Sequence, residues 1–189
     1  LIDKGYTYTG VDISSDLIAP AKERFPAGSF HTSDATTVSS LFKQKFDLIL
    51  CALLLNVFDI LETIKVVLNK TKALLEPTGQ FVVCNVHPCF DPYMQKGLLG
   101  RNDVETHFDT YFSSPTRFIV HKQIGDTTFT FDDYHFTFSD FINTASETGF
   151  YIEKIDECPP DPTQRHLDLE YYEKKKYFPT FYVMNLKLK

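Results

Sequence analysis

Asp12 closes an apolar stretch, Tyr6 to Ile13, and is followed at once by Ser14 and Ser15. A carboxylate at the carboxyl end of a strand in an open α/β sheet lies in the crevice where such sheets bind ligands. Its two oxygens can accept from both hydroxyls of a ribose, so a nucleoside-containing ligand is the first chemistry to expect; the bland alternative is a turn residue. Asp34, in Ser33-Asp34-Ala35, supplies a second carboxylate, with helix capping as its competing role. His87 follows the apolar segment Gln80 to Val86 and titrates near neutral pH. It can take a proton from an acceptor hydroxyl or amine, or simply make a hydrogen bond at a strand end. Tyr134 and His135 stand ahead of a helical pattern and belong with an acceptor pocket or with the core.

Other chemistries find no spacing to support them. None of the eight Gly forms a GxG. Cys51, Cys84, Cys89 and Cys158 form no CxxC, and Cys51 and Cys84 lie inside apolar segments, as small buried thiols of a reducing, cytoplasmic compartment do. There is no HExxH, P-loop or calcium loop, and His31, His107, His121 and His166 share no ligand-like spacing, so no metal site is expected.

The elements that position these residues alternate. Lys4-Gly5 reads as a helix end with a left-handed cap. Tyr6 to Ile13 is a strand; Ser14 or Ser15 then caps a helix with Leu17, Ile18, Ala21 and Phe25 on its stripe, ending at Pro26. Ser29 to Thr32 is a short strand, Val38 to Phe42 one or two helical turns, and Phe46 to Cys51 a strand apolar enough to be covered on both faces. From Asp59, residues Ile60, Leu61, Ile64, Val67, Leu68, Leu74 and Leu75 share a helical face. Glu76-Pro77-Thr78-Gly79 breaks that helix before the strand Gln80 to Val86. Arg117 to Gln123 and Thr127 to Tyr134, separated by Gly125-Asp126, predict a β-hairpin. Ser139 is expected to cap a helix ending at Gly149, with a strand from Phe150 to Ile155. A polar connection opened by Pro159, Pro160 and Pro162 then leads to a last strand, Tyr182 to Leu188. The ring-rich set Phe129, Phe131, Phe136, Phe138 and Phe141 is expected in the core, some rings lining an apolar pocket.

The chain has 189 residues, enough for one domain that buries roughly 70% of its unfolded surface. A net charge of −6 argues against a general nucleic-acid or anionic-membrane surface, and the longest apolar run, eight residues from Leu48 to Leu55, is too short to span a bilayer. The basic run Lys174-Lys175-Lys176 reads as a solvated face.

Taken in order, these segments resemble a class I S-adenosylmethionine-dependent methyltransferase of the small-molecule kind. Gly10-Val11-Asp12-Ile13-Ser14 is similar to the family's second-strand motif, Asp34-Ala35 to its acidic pair after the third strand, and Phe46 to Cys51 to its fourth strand. Leu74 to Gly79 before Phe81 resembles the turn into the fifth strand. Tyr134-His135 and Glu147-Thr148-Gly149-Phe150 resemble the run into the sixth. The resemblance implies an α/β, Rossmann-like, mainly parallel sheet with an antiparallel last strand, in a single domain over 1–189. It implies a β-hairpin insertion over 88–138, after the fifth family strand, that serves as lid and acceptor region. It also implies that the family's first strand and Gly-rich loop are missing here and lie upstream of Leu1. That strand would sit between those matching Tyr6–Ile13 and Phe46–Cys51.

By the same resemblance, S-adenosyl-L-methionine is the cofactor. Asp12 holds its ribose hydroxyls, Ile13 packs on adenine, Asp34 accepts from the adenine amine beside Ala35, and Cys51 to Leu53 pass near the methionine part. His87, Tyr134 and His135 face the acceptor, a small molecule; no nucleic acid or membrane partner is expected, and a homo-oligomer stays open. The reaction implied is in-line displacement, catalysed mainly by alignment and exclusion of water. Two other readings stand beside it. One is a truncated, non-catalytic binding module, and the other a nicotinamide-dependent oxidoreductase, whose cofactor ribose Asp12 would grip equally well.

Overall fold

Two parallel strand pairs carry the carboxyl-end residues. The computed structural model describes residues 4–89, 102–105, 110–177 and 179–189, with only the backbone of 102–105. Thr9–Asp12 (β1) pairs in parallel with Ser29–Thr32 (β2), and between them Ser15–Arg24 (α1) crosses over. Phe46–Ala52 (β3) pairs in parallel with Leu75–Val86 (β4), the crossover being Leu61–Leu74 (α2). β4 is followed in space by Phe181–Leu188 (β9) and then Phe150–Glu157 (β8), so this sheet runs β3-β4-β9-β8. β9 is antiparallel to both neighbours, so β8 runs with β4 and only the last strand opposes the others. No ladder joins β1 to β3, and the β1-β2 pair forms a sheet of its own.

The insertion is a three-stranded antiparallel sheet, Asn102–Glu105 (β5), Thr116–Ile124 (β6) and Thr127–His135 (β7). The expected hairpin is β6-β7, with Ile124 paired to Thr127 across a two-residue turn. Gly125 has φ +59° there, and a positive φ at the first turn position matches the type II′ turn favoured by strand twist. Residues 90–101 and 106–109 of the expected insertion, with His107, lie outside the described residues.

Periodicity explains the core. On α2, Ile64, Val67, Leu68, Thr71 and Leu74 share a buried face. Phe138–Glu147 (α3) adds Phe141 and Ala145, and both helices cover the sheet face made by Phe81, Val83, Phe150, Tyr182, Met184 and Leu186. Each such side chain contributes about 1.5–3 kcal/mol on burial. Gly149 ends α3 at φ +91°, and a Cβ there would meet Lys72 Nζ at 2.4 Å, the amine that donates to the Thr148 carbonyl.

Several expectations need correction. β1 covers only Thr9–Asp12, because Tyr6 to Tyr8 precede its pairing with β2. In α1, Ile18 is buried but Leu17 is 62% exposed. The turns expected at Val38–Phe42 are a 3₁₀ segment at Ala35–Ser40, started by the Asp34 cap. α2 starts at Leu61, not Asp59, without a side-chain cap. Glu76 to Gly79 does not interrupt strand structure. β4 already begins at Leu75, and the irregularity appears as a register shift between Phe46 and Leu48. The α3 cap is Thr137 rather than Ser139, because Asp140 lies three residues on and closes a capping box with it. Phe129 and Phe131 are half-exposed on the outer part of β7, while Phe136 and Phe141 are core. The polar connection holds a further short helix, Leu169–Lys175 (α4). Among the described residues no helix is long and apolar enough to cross a membrane.

Candidate functional site

The sequence-nominated residues fall into two groups at strand carboxyl ends. Asp12 ends β1 half-buried. Its Oδ1 accepts the Ser14 amide hydrogen at 2.8 Å, and Ser14 Oγ then accepts from Leu17 N at 3.3 Å to start α1. One carboxylate oxygen is thus committed to the turn, and Oδ2 remains for a ligand. Ile13, beside it, is 71% exposed. An apolar side chain held out to solvent next to a carboxylate at a strand end suits an adenosyl group, whose base needs a flat apolar contact and whose ribose needs an acceptor.

Asp34 is tied to the same loop cluster, since Ser33 N donates to the Asp12 carbonyl at 2.9 Å. Its Oδ1 accepts from both Thr36 N and Thr36 Oγ1 at 2.7 Å. The bond from the Thr36 backbone, then that from its hydroxyl, holds the Asp34 carboxyl below its usual range. Capping occupies one oxygen here too, with Ala35 opening the 3₁₀ turn. The β1-β2 group reaches the second sheet through a chain of edge-to-face rings, His31 to Phe42 at 5.2 Å and Phe42 to Phe46 at 5.4 Å.

In the second group, Cys51 lies on β3 in apolar surroundings that push its thiol up to about 12, so it is a neutral thiol and no nucleophile. Leu53 is the one non-glycine residue with positive φ among those described, at +53°, with its amide donating to the Cys84 carbonyl at 2.9 Å. A left-handed leucine is strained by about 1–2 kcal/mol, and such strain concentrates at functional turns. It turns the chain sharply off β3, leaving Leu53 49% exposed.

His87, at the end of β4, is buried. Its Nδ1 accepts from Cys89 N at 3.2 Å, which leaves the ring hydrogen on Nε2, 2.9 Å from Glu157 Oε1. That second contact is bent away from the N–H line and acts as an electrostatic contact more than a straight hydrogen bond. Phe138 stacks on the ring at 5.3 Å. Burial lowers the His87 pKa, with the Glu157 charge opposing. With Nδ1 already accepting and Nε2 carrying hydrogen, His87 in this tautomer offers no spare lone pair and holds Glu157 instead.

Tyr134 packs half-buried against the core. His135 is fully buried, its Nε2 donating to the Tyr111 carbonyl at 2.8 Å, while Tyr111 Oη accepts from Phe138 N at 2.7 Å. His135 therefore fastens the end of the hairpin to the start of α3. A cavity of about 390 Å³ lies elsewhere, lined by Cys158, Pro159, Asp161, Tyr172, Lys175 and Phe181 among others, and includes none of the residues above.

Sequence reasoning missed three buried polar residues. Asn56, in the 3₁₀ turn after β3, donates its amide to Asp133 Oδ1 on β7. Asn85 lies on β4 opposite Tyr182 and is 1% exposed. Asn56 Oδ1 and both Asn85 amide atoms have no partner among the described residues. A buried polar group left unpaired costs about 1–3 kcal/mol. The readable signal was a lone amide in each of two apolar runs, Leu53-Leu54-Leu55-Asn56-Val57 and Phe81-Val82-Val83-Cys84-Asn85-Val86.

Comparison with known proteins bears on the fold. Residues 1–81 match the family model described as a methyltransferase domain. Comparison with curated proteins finds no match. Among solved structures, a Listeria monocytogenes protein assigned as an S-adenosylmethionine-dependent methyltransferase superposes with TM-score 0.72 at 19% identity, covering 97% of this chain and 80% of that one. An S-adenosylmethionine-dependent methyltransferase from Mesorhizobium loti gives 0.67 at 19% identity, covering 98% and 82%. The glycopeptide N-methyltransferase MtfA, solved with S-adenosylmethionine, gives 0.61 at 11% identity, covering 100% and 80%. The match over residues 1–81, from β1 into β4, and the shared fold over nearly the whole length make this chain similar to S-adenosylmethionine-dependent methyltransferases.

Proposed function

We propose that this protein transfers a methyl group to a small-molecule acceptor, with Asp12, Ile13, Asp34, Ala35, Cys51 and Leu53 lining the cofactor crevice and the 88–138 region covering the acceptor. When bound, S-adenosylmethionine supplies an activated methyl on a sulfonium centre. The chain's own work is then to hold and align, and orientation with exclusion of water can account for roughly 7–11 kcal/mol of a barrier. Asp12 accepts from the ribose through Oδ2 while Oδ1 keeps the turn. Ile13 presents the adenine contact, and the left-handed turn at Leu53 leaves the end of β3 open toward the crevice. His87 and Glu157, joined at the edge where β4 and β8 end, position the acceptor side. The observation that carries this reading is the half-buried Asp12 carboxylate with one oxygen spare beside an outward-facing isoleucine.

Calorimetry with S-adenosylhomocysteine tests it, with NAD as control. Saturable binding that weakens tenfold or more in Asp12→Asn, at unchanged circular dichroism, supports the reading. No heat with the homocysteine compound, or heat with NAD instead, overturns it.

A further inference from the structure

The cavity of about 390 Å³ has no part in the methyl-transfer reading. Its volume falls within the range of about 300–1,000 Å³ usual for small-molecule sites. It lies where β8 ends and β9 begins: Cys158 donates its backbone hydrogen to the Phe181 carbonyl at 2.9 Å, and both residues line it. Thr180, next to Phe181, is only 8% exposed and also lines the cavity. Its carbonyl accepts from His87 N at 2.8 Å, but its hydroxyl has no hydrogen-bond partner among the described residues and is not sealed in. A hydroxyl held at that depth calls for a partner. The rest of the lining comes from the connection between β8 and β9, including Asp161, Leu167 and, on α4, Tyr172 and Lys175. Asp161 is exposed and spends only Oδ1 on the protein, accepting from Thr163 N at 2.9 Å and Thr163 Oγ1 at 2.8 Å. The bond from the Thr163 hydroxyl, then that from its backbone, holds the Asp161 carboxyl below the usual range. Oδ2 is left over.

We propose that this cavity binds a hydroxylated aromatic amine, with its hydroxyl on Thr180, its ring between Phe181 and Tyr172, and its ammonium on Asp161. The order follows the depth of the lining. Thr180 is buried, Phe181 and Tyr172 are half-buried, and Asp161 is exposed. A ligand charge kept at the rim escapes the cost of burial, while the ring is taken out of water. Charge selects the sign. Asp161 and Asp168 set two carboxylates against the one ammonium of Lys175, whose Nζ lies 5.9 Å from the centre of the Phe181 ring. A cation is therefore favoured over an anion, and Asp161 Oδ2 accepts from it in a charge-assisted hydrogen bond. The Thr180 hydroxyl can donate to or accept from a ligand hydroxyl, so either orientation of that group is met. The site stands independently of the methyl-transfer reading, since none of the residues assigned to the cofactor lines it.

The test titrates the ¹⁵N-labelled chain with three compounds. They are tyramine, 2-phenylethylamine, which lacks the ring hydroxyl, and 3-(4-hydroxyphenyl)propionate, which carries a carboxylate in place of the ammonium. The expected result is a saturable shift of the Cys158, Gln164 and Phe181 backbone amides with tyramine. Affinity for 2-phenylethylamine should be about fivefold weaker, and the acid should give no saturable shift. Thr180→Val keeps the side-chain volume and should bring tyramine down to the affinity of 2-phenylethylamine. Asp161→Asn keeps an oxygen for Thr163 and should weaken both amines about fivefold. Binding of the acid as tight as that of tyramine, equal affinity of the parent for the two amines, or unchanged tyramine affinity in either variant overturns the site. So do shifts at Asp12 and Ser14 without any at Phe181, and so does a lack of saturation with tyramine, which leaves the cavity to water.

Discussion

Asp12 Oδ1 accepts the backbone hydrogen of Ser14 at 2.8 Å, so the carboxylate proposed to hold the ribose also builds the turn into α1. Two substitutions separate the roles. Asp12→Asn retains an oxygen for Ser14 and should leave thermal stability within about 0.5 kcal/mol of the parent. Yet it should weaken S-adenosylhomocysteine about 10–100-fold, the worth of a hydrogen bond to a charged group. Asp12→Ala should lose the affinity and about 1 kcal/mol of stability as well, read by urea unfolding.

The capping box of α3 offers a stability prediction far from the crevice. Asp140 Oδ2 accepts from Thr137 N and Oγ1 at 2.8 Å and from Ser114 Oγ at 2.6 Å. Burial pushes its pKa up, but the hydrogen bonds from Ser114 and Thr137 outweigh that and hold the carboxyl below its ordinary value. Asp140→Ala should cost about 1–2 kcal/mol. In the parent this contribution is present above the ordinary carboxyl value of 3.8 and fades as the pH falls through the lowered one, so chemical denaturation of the variant should lose that acid dependence.

His87 sets a second window. Its folded-state pKa is lowered, chiefly by burial, so the unfolded chain binds the proton more readily. The stabilisation is complete above the ordinary value of 6.5 and is lost as pH falls below it. Urea midpoints should therefore fall between about pH 7.5 and 5.5, and His87→Gln should flatten that slope. A slope unchanged in the variant would show that another group carries it.

Cys51 should resist alkylation. A thiol raised to about 12, against an ordinary 9.0, has roughly a thousandfold less thiolate at neutral pH. Iodoacetamide labelling of the native chain, read peptide by peptide, should modify Cys51 last among the four, and unfolding in urea should erase the difference.

Much of this architecture was written in short-range pattern. The α2 stripe of Ile64, Val67, Leu68 and Leu74 has one period, and the hairpin has Gly125-Asp126 between two alternating runs, so both were legible. The α3 cap was not, because Ser139 is as good a capping residue as Thr137 by type; only the reciprocal bond from Asp140 selects between them. α4 escaped because Leu169 to Lys175 has no apolar stripe and follows three prolines. Within the site, Asp12 and Asp34 were visible because strand ends are local features. Asn56 with Asp133, and His87 with Glu157, were not, since their partners lie 77 and 70 positions apart and pairing at that range depends on the finished topology.

The separation of β1-β2 from the other strands has a thermodynamic side. A two-stranded ribbon with little of the core beneath it is the sort of unit that opens on its own well below the global unfolding energy. Asp12 and Asp34 ride on that ribbon, Leu53 and His87 on the main sheet. A molecule reaching across both would act as a clasp, slowing amide exchange in β1 and β2 far more than in β4, and occupancy could be read as the quieting of one corner of the protein.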